Sequence, residues 1–171
     1  MQVTINKIAQ GGEGIATLES GRTVFVDGAL VNEVVEIEIY RETKSYAKAR
    51  ITNILKASQD RVEPFCPHYF ECGGCNLQHL KYVKQVKLKE ELVFDHLKRI
   101  AKLDLSKIKI LPTETSCDTS YRNRVRFHVS MADKKIGFLK KQSDELCEIN
   151  SRPLLVDSIN KAIESGEIFK A

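Results

Sequence analysis

Apolar and polar residues alternate through most of positions 1–60, and this two-residue period predicts a run of short strands. Met1 to Ile8 alternates, and Gln10-Gly11-Gly12-Glu13-Gly14 follows as a glycine-rich turn. Ile15 to Leu18 and Thr23 to Val26 read as strands split by Ser20-Gly21, and Asp27-Gly28 marks the next turn. Val35, Ile37 and Ile39 alternate with Glu36, Glu38 and Tyr40, as in a half-buried strand. Ala47 to Ile54 makes a fifth strand, with Lys48, Arg50 and Thr52 on its outer face. Short strands at this density predict a small closed barrel of the OB type over 1–60, an architecture that often binds nucleic acid. The Gly11–Gly14 run is not a nucleotide loop, because a strand follows it and no helix N-terminus is there to hold phosphate.

Beyond residue 60 the period changes. From about Leu80 to Lys102 the residues Tyr82, Val86, Val93, Leu97 and Ile100 form a narrow apolar stripe, which predicts a helix. Lys81, Lys84, Lys98, Arg99 and Lys102 project from its other side. Pro112 to Ser120 reads as a linker rich in Thr and Ser. Tyr121 to Val129 then alternates strictly, which predicts a strand with Val125 and Phe127 on one face and Arg122, Arg124, Arg126 and His128 on the other. Strands near 135–140 and 146–149 would complete a small antiparallel sheet, and a second helix is expected to start at Arg152-Pro153 and stop at Ser165-Gly166. The fold class is therefore mainly β, with an α+β second part over 61–171.

Candidate chemistry sits between these parts. Cys66, Cys72 and Cys75 are spaced so that one short loop can wrap a single centre, and thiolates are soft ligands suited to zinc or an iron–sulfur cluster. Gly73 and Gly74 lack side chains that would keep sulfide or metal away from the backbone. With 5 Cys in the chain, an odd number, metal binding in a reducing compartment fits better than a disulfide framework. No apolar run approaches the ~20 residues that span a bilayer, and the N-terminus lacks the pattern of a signal peptide, so a cytoplasmic protein without membrane contact is expected.

Charge adds a partner class. Residues 1–60 carry 7 Lys+Arg against 8 Asp+Glu, while 61–171 carry 20 against 15, so the net positive charge lies in the second part. Three arginines on one strand face repel one another unless something neutralises them. RNA phosphate suits Arg, which offers paired donors, and acidic side chains on neighbouring strands are the alternative.

Three ordered motifs carry a resemblance that covers essentially the whole chain. The glycine-rich turn with Ser20-Gly21-Arg22-Thr23-Val24-Phe25-Val26 resembles a TRAM domain, a small RNA-binding β-barrel. The stretches at 66–80 and 121–129 resemble the iron–sulfur type of RNA uracil-C5 methyltransferase, whose best-known member modifies 23S ribosomal RNA. The resemblance implies that Cys66, Cys72 and Cys75 are three ligands of a structural [4Fe-4S] cluster; should a fourth ligand be lacking, the alternatives are zinc assisted by His68 or His79, an incomplete cluster, or none. It also implies an RNA partner, ribosomal by preference, met by Arg122, Arg124 and Arg126 together with Lys48 and Arg50 on the barrel. The sequence departs from the pattern at the fourth ligand, where Arg152 stands before Pro153 in place of cysteine. Cys147 is the substitute ligand expected, while Cys117 in the linker matches none.

The resemblance implies a further Rossmann-like methyltransferase domain holding S-adenosylmethionine, the nucleophilic cysteine and the base. No strand–glycine-loop–helix unit of that kind occurs in these residues. The chain therefore reads as the RNA-recognition part of such an enzyme, inactive in methyl transfer alone, with a separately encoded methyltransferase domain as one possible partner. A stand-alone TRAM-type RNA-binding module and a zinc-stabilised protein without enzymatic activity are the rival readings.

Overall fold

A computed structural model describes residues 1–167. The chain divides into two compact units that do not follow chain order. One joins Met1–Glu63 to His79–Leu111, and the other joins Pro64–Gln78 to the chain from Pro112 onward.

In the first unit six strands form one sheet: β1 (Gln2–Thr4), β2 (Lys7–Ile8), β3 (Gly14–Thr17), β4 (Thr23–Asp27), β5 (Val34–Glu42) and β6 (Tyr46–Lys56). The order is β1-β5-β6-β4-β3-β2, antiparallel except for the parallel β4/β6 pair. β1 and β2 are two halves of one bent N-terminal segment. Val3 pairs with Val35 at one edge and Lys7 with Ile15 at the other, so the segment closes the sheet into the expected OB-like barrel.

Inward positions alternate as the sequence requires. Val3, Val24, Val26, Val35 and Ile37 pack with Ala16, Ala47 and Ala49, and the small residues make room for the large ones as the barrel tapers. Gly14 is needed for the same reason: a Cβ there would lie 2.8 Å from Ala29 Cβ and 2.9 Å from Ile5 Cγ2. Glu33, fully buried, fixes the turn before β5 by accepting from the Leu30 and Ser58 amides and from Arg61.

The helix of this unit, α1, runs Tyr82–Asp95 and continues as a π-helical stretch over His96–Ile100. It starts later than the apolar period predicts, because Leu80 is held in a β-bridge with Arg61. None of its residues is fully buried: Tyr82, Val86 and Leu97 are half-buried, while Val93 is 57% exposed and Ile100 71%, so the described residues cover the apolar stripe only in part.

The second unit holds a three-stranded antiparallel sheet in the order β7-β8-β9 (His128–Ser130, Lys135–Leu139, Leu146–Glu148), followed by α2 (Asp157–Glu164). Ile136, Leu155 and Ile163 form its core, with Val125, Phe127 and Ile159 packed against them. Two expectations are corrected here. Tyr121 to Phe127 is not part of the ladder. Among the described residues its only bridge joins Arg122 to Leu155, where the Arg122 amide donates to the Leu154 carbonyl and the Val156 amide donates to the Arg122 carbonyl. The Ser120 amide adds a further bond, to the Pro153 carbonyl at 2.8 Å. For the same reason α2 starts at Asp157, not at Arg152, because residues 154–156 are engaged with the Arg122 segment.

Candidate nucleic-acid interface and cysteine loop

The cysteine loop lies in the second unit and is zipped to the end of β8 by its backbone. The Gly73 amide donates to the Leu139 carbonyl at 2.9 Å, and the Lys141 amide donates to the Glu71 carbonyl at 2.8 Å. Inside the loop the Cys72 amide donates to the His68 carbonyl at 2.8 Å, and the Cys66 amide to Gln78 Oε1 at 3.2 Å. The two glycines are used for close approach, though to protein atoms. A Cβ on Gly73 would lie 2.9 Å from the Leu139 carbonyl oxygen, and one on Gly74 would lie 2.8 Å from Arg152 Nη2.

Cys66, Cys72 and Cys75 line one small cavity together with His68, Phe138 and Arg152. Burial pushes the Cys66 thiol up, while the His68 amide and the Arg152 guanidinium pull it the other way. Cys147 is also buried, its thiol pushed up first by burial and then by Cys72, to which its side chain is hydrogen-bonded. It does not line the cavity that the other three share. Cys117 is exposed in the 112–120 segment, and His79 falls in the first unit.

Arg152 occupies the remaining wall. Its residue is 3% exposed, Nη2 donates to the Gly74 carbonyl at 2.9 Å and to Cys75 Sγ at 3.1 Å, and the guanidinium lies 4.2 Å over the Phe138 ring. Nη1 is buried with no hydrogen-bond partner among the described residues. A guanidinium has no lone pair with which to ligate a metal. Among the described residues no three His, Cys, Asp or Glu side chains come together in a group able to hold a metal ion. The four-ligand cluster implied by the resemblance therefore does not fit the side chains as they stand here.

The arginine row is arranged differently from the barrel cations. Val125 and Phe127 turn into the core, and Arg124 and Arg126 are exposed, with Arg122 half-buried. None of the three guanidiniums has an ion-pair or hydrogen-bond partner among the described residues. The acid on the neighbouring sheet is taken elsewhere, since Glu148 pairs with Lys135 at 2.8 Å. On the barrel, by contrast, Lys48 sits 3.5 Å from Glu13, and Arg50 Nη2 and Nε both reach Glu38 Oε2, at 2.7 and 2.9 Å. The site is thus a row of unneutralised, donor-only side chains presented by a short segment anchored at Arg122.

Two functional neighbours were not identified by sequence reading. The Asn160 side chain brackets Arg152, accepting from its amide at 2.9 Å and donating to its carbonyl at 3.1 Å. Its only signal was its place about two turns into the expected helix. The Glu33–Arg61 pair had none, as 28 positions separate its members.

Residues 1–52 match the TRAM domain family. The chain is 40% identical over 165 residues to an uncharacterized RNA methyltransferase of Clostridium acetobutylicum, covering 95% of this chain and 36% of that protein. It is 36% identical over 175 residues to a 23S rRNA (uracil(1939)-C(5))-methyltransferase of Vibrio parahaemolyticus, covering 99% of this chain and 39% of the relative. The chain thus spans somewhat over a third of the length of these relatives. Among solved structures it shares its fold with the tRNA (uracil-54, C5)-methyltransferase of Pyrococcus abyssi in complex with S-adenosyl-L-homocysteine, at a TM-score of 0.60 and 21% identity over 98% of this chain and 36% of that one.

Proposed function

From a chain with a TRAM domain that is homologous over most of its length to RNA uracil-C5 methyltransferases, we propose the RNA-recognition portion of such an enzyme, acting on ribosomal RNA. The observation that carries this reading is the row Arg122, Arg124 and Arg126, which has no acidic partner among the described residues. Guanidinium forks match phosphate oxygens two donors at a time, and an unpaired Arg gives up no existing ion pair when it meets RNA. Lys48 and Arg50 contribute from the barrel only after leaving Glu13 and Glu38.

The methyl transfer belongs to a separate Rossmann-like domain that binds S-adenosylmethionine, supplied by the same polypeptide or by a second one. In that scheme the residues described here bind and orient the RNA, and no proton or methyl step is assigned to them.

The test is fluorescence anisotropy of the purified chain with a structured fragment of 23S rRNA across a salt series. Binding is expected to weaken steeply with salt. The triple variant Arg122→Gln, Arg124→Gln, Arg126→Gln is expected to lower the log–log slope by roughly 2, since each lost phosphate contact removes about 0.7–0.9. A slope equal to that of the parent chain would remove the arginines from the interface.

A further inference from the structure

We propose that Arg152 itself tethers the cysteine loop, so that the second unit keeps its fold with no metal ion or cluster on Cys66, Cys72 and Cys75. Arg152 lines the cavity that the three thiols share. It is buried, and through the Gly74 carbonyl it binds a residue 78 positions away in sequence. Such a long-range contact does what a cross-link does, because it fixes two distant segments relative to one another.

Apart from Nη1, which has no hydrogen-bond partner among the described residues, the side chain is committed to that task. Nη2 reaches Gly74 and Cys75, the guanidinium plane covers Phe138, and the Asn160 amide group holds the Arg152 backbone on both its donor and its acceptor. Gly74 is the matching feature on the loop, since a Cβ there would strike the guanidinium. No carboxylate lines the cavity beside Arg152. The Nη2 donor already occupies one acceptor direction of Cys75 Sγ, at 3.1 Å. The loop is also joined by backbone bonds to Leu139 and from Lys141.

The inference stands apart from the RNA reading, and the two are measured separately on one preparation. The intact chain is produced anaerobically with iron and zinc supplied, then assayed for bound iron, zinc and acid-labile sulfide. Thermal unfolding is followed with and without EDTA and 1,10-phenanthroline, and RNA binding is recorded beside it. The expected result is metal well below one equivalent and a midpoint that the chelators do not move. Arg152→Met, which keeps the stem and loses the donors, is expected to lower the midpoint by roughly 5–10 °C. Stoichiometric zinc or iron with sulfide, together with a midpoint that falls on chelation, would overturn the proposal. So would an Arg152→Met chain as stable as the parent. If Arg152→Met does not fold, the metal content and chelator response of the parent chain decide alone.

Discussion

Arg61 grips both oxygens of the fully buried Glu33, with Nε 2.6 Å from Oε1 and Nη2 2.7 Å from Oε2. The same Nη2 also donates to the Gly28 carbonyl at 2.7 Å, and the Leu30 and Ser58 amides complete the shell around the carboxylate. One ion pair thus locks the turn that leads into β5 to the chain that leaves β6. Removing one member of a buried pair strands the other as an unpaired charge, at a cost of about 3–5 kcal/mol. Arg61→Met is therefore expected to reduce stability by about that amount in a urea titration of the chain. A change below about 1 kcal/mol would show that water reaches the carboxylate easily.

The same pair sets an acid sensitivity. Burial pushes the Glu33 carboxyl up, but Arg61 and the two amide donors outweigh it and hold it below its ordinary value of 4.5. The unfolded chain then binds more protons than the folded one across this window, so stability rises with pH there. The contribution is complete above about pH 4.5 and is lost as the pH falls through the folded value. Urea midpoints measured from pH 6 down to pH 3 should drop more steeply for the parent chain than for Glu33→Gln, which has no charge to lose. Parallel curves would show that other carboxylates govern the acid limb.

Glycines in the barrel separate two costs that are easily confused. Gly14→Ala places a methyl within 2.9 Å of two core atoms, and overpacking of that kind costs about 1–3 kcal/mol. Gly21→Ala meets open space but sits at a φ of +80°, so only backbone strain of about 1 kcal/mol opposes it. Denaturant midpoints of the two variants should rank Gly14→Ala as the less stable. The reverse order would mean that the barrel relaxes around Ala29 and Ile5.

How much of this was legible in the sequence depends on what kind of partner each residue needs. Alternation in Val35, Ile37 and Ile39 announces which side of a strand is buried, and the barrel follows from it. The same alternation correctly turns Val125 and Phe127 inward, yet it is silent on whether a neighbouring backbone exists to pair with, so the ladder begins only at His128. The cysteine spacing announces a loop, and the three thiols do share one cavity. What fills the space beside them is set by Arg152, whose contact with Gly74 no local pattern could disclose. Unneutralised charge is likewise a property of the folded surface. Lys48, Arg50 and Arg124 look alike in the sequence, and only the fold gives the first two acidic partners.

That difference ranks the cations for RNA binding. Arg124→Gln with Arg126→Gln removes charges that nothing in the described residues neutralises. Lys48→Gln with Arg50→Gln removes charges already engaged by Glu13 and Glu38, in exposed pairs worth only about 0–1 kcal/mol each. At moderate salt the first double variant is expected to weaken RNA binding by roughly tenfold and the second by a smaller factor. Equal losses in an anisotropy titration would place the barrel on the RNA as firmly as the arginine row.

Asn160 provides the sharpest test of how Arg152 is held. Its Oδ1 accepts from the Arg152 amide at 2.9 Å, and its Nδ2 donates to the Arg152 carbonyl at 3.1 Å and to the Leu155 carbonyl at 3.2 Å. Each bond is worth about 1 kcal/mol net, and leaving a buried amide or carbonyl unpaired costs at least as much. Asn160→Leu loses all three bonds and is expected to reduce stability by about 2–4 kcal/mol in urea. Asn160→Asp keeps the acceptor for the Arg152 amide but turns the donor into a carboxylate oxygen facing two carbonyls. It should be destabilised at neutral pH and recover part of the loss on acidification, as the protonated acid regains an O–H to donate. An Asn160→Asp chain with no such recovery, measured against the parent at each pH, would show that the carbonyls of Arg152 and Leu155 find water instead.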